Sequence, residues 1–132
     1  MPQISNSDPP RDKPTILLID DNPAHLSLYW RGVDSGGFRP ITVLVAGKDI
    51  TLPSAETIDL SVLDYQLGPE VTAVDVAKLL QRTFPHKPIV ILSDLCWMPD
   101  DIRGYAVRFV RKGAAQAKFT TLLFDPEIVT GW

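Results

Sequence analysis

Five short runs of aliphatic and β-branched residues recur along the chain, with helical patterns between them: TILLID (15–20), ITVLVA (41–46), DLSVLD (59–64), PIVILSD (88–94) and VRFVRK (107–112). Runs that are apolar throughout, with no alternation of polar residues, suit strands buried on both faces, and such strands belong to a parallel sheet covered by helices on each side. Parallel neighbours need crossover connections, which are nearly always right-handed. The expected fold is therefore α/β, a doubly wound five-stranded parallel sheet. In sheets of this kind the site lies in the crevice beyond the carboxyl ends of the strands.

The intervening segments carry their own signals. After the first strand, Asn22 is a good N-cap with Pro23 at the first helical position. Leu26, Tyr29, Trp30 and Val33 then repeat at helical spacing, and Gly36-Gly37 ends the helix. A second apolar stripe runs through Ala73, Val76, Ala77, Leu80 and Phe84 to a stop at Pro85, and a third through Ala115, Phe119, Leu122 and Leu123 to Pro126. Two connections are weaker. GKDITLPSAETI (47–58) has room for about two turns, and in LCWMPDDIRGY (95–105) Pro99 leaves space only for a short helix. LCWMP reads more simply as a loop covering the sheet than as a partner-binding patch, and Arg103, Arg108 and Arg111 read as a solvated edge. Residues 1–14 hold four prolines and one large aliphatic side chain, so they are expected to form a flexible tail ahead of a domain spanning 15–132.

Composition narrows the function. A chain of 132 residues is the length of one domain, and 45% hydrophobic residues allow a real core. Thirteen basic against 16 acidic residues leave a net charge of −3, which argues against a nucleic-acid or anionic-membrane partner. The single cysteine, Cys96, excludes an internal disulfide and a cysteine-rich metal site. No apolar run approaches the roughly 18 residues that span a bilayer, and the N-terminus lacks the order of a signal peptide, so a cytoplasmic protein is expected.

The strand ends gather the chemistry. Asp20 and Asp21 follow the first strand, Asp64 the third, Ser93 the fourth and Lys112 the fifth. Two carboxylates about 5 Å apart repel by about 3 kcal/mol at an effective dielectric of 20, so three on one edge call for a cation. An open, water-rich set of oxygen ligands suits Mg²⁺. His25 and His86 lie far apart in the sequence, and neither reads as a metal ligand without a second imidazole nearby.

These residues resemble the receiver domain of two-component response regulators. The resemblance rests on IDD (19–21), VLDYQLG (62–68), ILSD (91–94) and FVRKG (109–113), and it covers the chain from about Thr15 to Phe124. It implies a flavodoxin-like strand order 2-1-3-4-5, here with shortened second and fourth helices. It also implies that Asp64 takes a phosphoryl group from a phosphohistidine on a sensor histidine kinase or phosphotransfer protein. Asp20, Asp21, Asp64 and the backbone carbonyl of Gln66 would hold Mg²⁺. Lys112 would contact the phosphoryl oxygens, and Ser93 and Phe109 would act as the switch pair. Such a domain is a signalling module rather than an enzyme, catalysing at most its own phosphorylation and dephosphorylation.

The chain departs from the family pattern at two positions close to this chemistry. Gly113 follows Lys112 where proline is usual, and Asp94 follows Ser93 where a small residue is usual. A competing reading is a pseudo-receiver, an interaction module that keeps the fold and is not regulated by phosphate. A flavodoxin-like cofactor binder is disfavoured, because the first strand ends in acids where a phosphate-cradling loop needs glycines and hydroxyls.

Overall fold

In a computed structural model of the chain, residues 13–53, 57–106 and 108–111 are described. Five strands form one sheet: β1 (Thr15–Asp20), β2 (Arg39–Leu44), β3 (Leu60–Asp64), β4 (Ile89–Ser93) and β5 (Arg108–Arg111). All pairings are parallel, and the strands lie side by side in the order β2-β1-β3-β4-β5. The expected order 2-1-3-4-5 is the one observed.

The three central strands β1, β3 and β4 are buried along their whole length, as continuous apolar runs require. Side-chain alternation within each strand sends residues to opposite faces. Leu17, Ile19, Leu63, Ile89 and Ile91 face one side and pack with Ala73, Val76, Ala77 and Leu80 of helix α2 (Ala73–Thr83). Ile16, Leu18, Leu60, Val62, Val90 and Leu92 face the other side and meet Leu26, Tyr29 and Val33 of helix α1 (Pro23–Ser35). Helices therefore cover both faces of the sheet.

Local chemistry sets the helix limits. Asn22 caps α1 by accepting the Ala24 N–H at 2.9 Å and the His25 N–H at 3.4 Å, with Pro23 opening the helix. Thr72 caps α2 in a reciprocal box: Asp75 N–H donates to Thr72 Oγ1, and Thr72 N–H donates to Asp75 Oδ2, both at 3.1 Å. Helix α3 (Asp100–Arg103) is a single turn starting after Pro99, in agreement with the expected short fourth helix. In the connection from β2 to β3, no helix occurs among the described residues.

Several expectations need correction. The second strand begins at Arg39, two residues earlier than ITVLVA, and it is only partly buried because it forms the sheet edge. Pro40 is tolerated on that edge. Pro14, expected in the tail, accepts the Arg39 N–H at 2.9 Å and so belongs to the sheet edge. Trp30 is 42% exposed and does not join the stripe of Leu26, Tyr29 and Val33. Within LCWMP, Met98 packs on the core while Trp97 is 68% exposed, so the loop covers the sheet only in part. Arg103, on α3, and Arg111 are exposed as expected, Arg103 also donating to the Met98 carbonyl at 2.8 Å, while Arg108 is half-buried. Residues 1–12 of the expected tail, the third helical stripe of Ala115, Phe119, Leu122 and Leu123, and Lys112 with Gly113 lie outside the described residues.

Candidate functional site

The site is built at the carboxyl ends of the three central strands. Asp20 ends β1, Asp64 ends β3 and Ser93 ends β4, and each is 1–2% exposed. The register pairing Ile19 with Leu63 brings the next residues, Asp20 and Asp64, side by side. Because Asn22 starts α1 at once, the chain turns away directly after Asp21, which is left exposed at the rim.

Ligand oxygens of Asp20, Asp21 and Asp64 all lie within 4.8 Å of one another. Backbone donors hold the side chains: Asn22 N–H donates to Asp20 Oδ1 at 3.0 Å, and Gln66 N–H donates to Asp64 Oδ1 at 3.3 Å. Ser93 Oγ accepts the Leu95 N–H at 3.0 Å, which fixes the hydroxyl at the start of the following loop. Gly68 has φ +103°, and a Cβ there would stand 3.9 Å from Asp21 Oδ2, so a glycine closes this loop beside the acids without strain.

The electrostatics fit a cation. Burial, followed by the charge of Asp64, pushes Asp20 up to about 7. Burial and the charges of Asp20, Asp64 and Asp94 push the Tyr29 phenol well above its ordinary value. Asp20 Oδ2 is buried and has no hydrogen-bond partner. A hard divalent ion would screen the mutual repulsion of the carboxylates and give the orphaned oxygen a partner, and it takes oxygen ligands by preference.

Of the residues singled out from the sequence, Asp20, Asp21, Asp64 and Ser93 come together at this edge. Gln66 stands two residues beyond Asp64 on the adjoining loop. Phe109 lies on β5 opposite Ile91, half-buried against the core. Lys112 falls outside the described residues. Asp94 is exposed. Three features were missed. Tyr29 is 3% exposed and feels the acidic cluster, and His25, four residues before it, places Nδ1 3.4 Å from Asp20 Oδ2. Their spacing on α1 was the available signal, since residues four apart share one helix face. The third is Tyr65, bonded to Asp101 across 36 residues, a pairing for which the sequence holds no signal.

No family model matches the sequence. The chain is similar to a response regulator from Burkholderia pseudomallei, solved with a phosphorylated aspartic acid, calcium ion and citrate: the TM-score is 0.71 at 20% identity, covering 89% of this chain and 70% of that one. It is equally similar to the chemotaxis response regulator CheY4 of Vibrio cholerae, with TM-score 0.71, 16% identity, and 84% and 96% of the two chains covered. A CheY-like receiver domain from Methylobacillus flagellatus superposes with TM-score 0.69 at 17% identity, covering 91% and 99%. The chain has the receiver-domain fold. In sequence, this receiver fold is 25% identical over 87 residues to the transcriptional regulatory proteins GlrR of Escherichia coli K12 and QseF of E. coli O157:H7. That match takes in 66% of this chain and 19% of each relative, so the receiver fold corresponds to a minor part of their length. No helix among the described residues is long and apolar enough to cross a membrane.

Proposed function

We propose that the chain is a phosphoacceptor signalling domain of a two-component system, with the receiver unit at 15–132 and Asp64 as the phosphorylated residue. The observation that carries this reading is the meeting of the Asp20, Asp21 and Asp64 carboxylates within 4.8 Å at the carboxyl edge of a receiver-type sheet. The phosphorylated aspartic acid and the calcium ion of the Burkholderia protein support the same chemistry.

An Asp64 oxygen forms the new O–P bond while the P–N bond of a donor phosphohistidine breaks, and the imidazole leaves with the electron pair. Asp20, Asp21, Asp64 and the Gln66 carbonyl would hold Mg²⁺, which when bound supplies positive charge to the phosphoryl oxygens. The Gln66 N–H and the place of Asp64 at the strand end hold its carboxylate, which would serve an in-line attack. Ser93 Oγ stands at the end of the neighbouring strand, placed to donate to a phosphoryl oxygen, and Lys112 would add a second cation. Phe109, next to Ile91 on β4, is the aromatic that would repack when Ser93 changes partner. A sensor histidine kinase or phosphotransfer protein is the expected donor, and the cytoplasm the expected location. The domain performs no turnover beyond its own phosphorylation and dephosphorylation.

Intact-mass measurement after incubation with acetyl phosphate and Mg²⁺ tests this reading. A single added phosphoryl group that is absent from Asp64→Asn is the expected result. An unmodified parent protein would overturn it and leave the pseudo-receiver, a phosphate-independent interaction module.

A further inference from the structure

We propose that His25 is a positioning residue of the carboxylate cluster, its Nδ1–H directed at Asp20 Oδ2 so that this carboxylate is held in the orientation that presents its remaining lone pairs to a divalent cation. The inference rests on reading the cluster as a metal site.

Asp20 is 1% exposed, so its oxygens depend chiefly on partners within the protein. Oδ1 accepts the Asn22 N–H, while Oδ2 has no hydrogen-bond partner. The basic atom facing Oδ2 is His25 Nδ1, 3.4 Å away, and it too is buried without a hydrogen-bond partner. Two orphaned polar atoms facing each other this closely form one unit: imidazole offers the only kind of group the oxygen lacks, a donor. At 3.4 Å the contact is looser than an ideal charge-assisted bond.

Leu26, Tyr29 and Val33 bury the inner face of α1, and His25 lies half-buried at the margin of that stripe. The imidazole keeps one edge wet, being 33% exposed, and its ring lies tilted beside Tyr29 at 6.1 Å between centroids. Helix α1 is thus in a position to set the Asp20 carboxylate from one side while the Asn22 N–H sets it from the other. Groups that orient ligands in this way are worth about 10- to 100-fold in metal affinity.

The test is calorimetric titration of Mg²⁺ into the parent, His25→Leu and His25→Asn, with unfolding followed separately in EDTA. Leucine should weaken Mg²⁺ binding by about 10-fold or more, while asparagine, whose amide N–H reaches the region of Nδ1, should stay within about threefold of the parent. Melting in EDTA measures separately what the contact contributes to the fold, so that a loss of metal affinity is not mistaken for partial unfolding. If the leucine variant does not fold, His25→Gln replaces it, with the donor one bond out of place and the same weakening expected. Long-range ¹H–¹⁵N spectra of the metal-free parent should show the proton on Nδ1. A leucine or glutamine variant that binds Mg²⁺ as tightly as the parent overturns the proposal, as does a proton found only on Nε2. A parent that binds no Mg²⁺ overturns the metal reading itself and this inference with it. In that case the weakness lies in the cluster, since it appears before any substitution.

Discussion

The Tyr65 hydroxyl donates to the Asp101 carboxylate, at 3.0 Å to Oδ1 and 3.2 Å to Oδ2, and so ties the residue after Asp64 to the single-turn helix α3. The bond crosses from the loop after β3 to the segment after β4. Burial and then the Asp101 carboxylate raise the Tyr65 phenol above its ordinary value. Asp101→Asn should therefore move the Tyr65 titration back toward that of a free tyrosine, read from its ring resonances. An unchanged midpoint would mean that the contact does not persist in solution.

The same bond is a modest contributor to stability. It is solvent-exposed, so Tyr65→Phe should cost about 1 kcal/mol or less in urea unfolding. A loss several times larger would show that α3 depends on this link for its docking.

Metal-free stability should fall as pH rises. Asp20 has its pKa raised from 3.8 to about 7 in the folded protein, so between those values the native state binds more protons than the unfolded one. Stability is then greatest below pH 4 as far as this group is concerned and is lost as pH rises through about 7. Urea unfolding in EDTA across this range should show that slope. Asp20→Asn should flatten it and make the metal-free protein more stable at neutral pH. A parent slope of zero would remove the crowding argument for the cluster.

Mg²⁺ should raise the melting temperature of the parent, since a ligand that binds only the native state stabilises it by about 2.7 kcal/mol at 100 times its Kd. Asp64→Asn removes one of the three charges that converge within 4.8 Å and should shrink the shift. Equal shifts in parent and variant would place the ion elsewhere on the protein.

Thr72→Ala should destabilise the protein by about 1 kcal/mol. It removes the side-chain acceptor of the Asp75 N–H at the start of α2 and breaks the reciprocal cap. Chemical denaturation checks the figure.

The sheet and the place of its site were legible in the chain. TILLID, DLSVLD and PIVILSD are apolar without alternation because both faces of their strands are buried, and each leads to an oxygen-bearing residue at its carboxyl end: Asp20, Asp64 and Ser93. The Asn22-Pro23 cap and the stripe from Ala73 to Leu80 likewise act over a few residues, within reach of pattern and propensity. What depends on neighbours distant in the chain was legible only once the elements were packed together. Strand β2 begins at Arg39 because pairing with Thr15 starts there, although neither Arg39 nor Pro40 looks like a strand residue. Trp30 and Trp97 turn to solvent where their hydrophobicity alone argued for burial, since the faces that would cover them are not provided by the described elements. The His25–Asp20 and Tyr65–Asp101 contacts join a helix to a strand end and one loop to another. Such contacts are set by where the elements lie in space, and no local pattern in the chain encodes them.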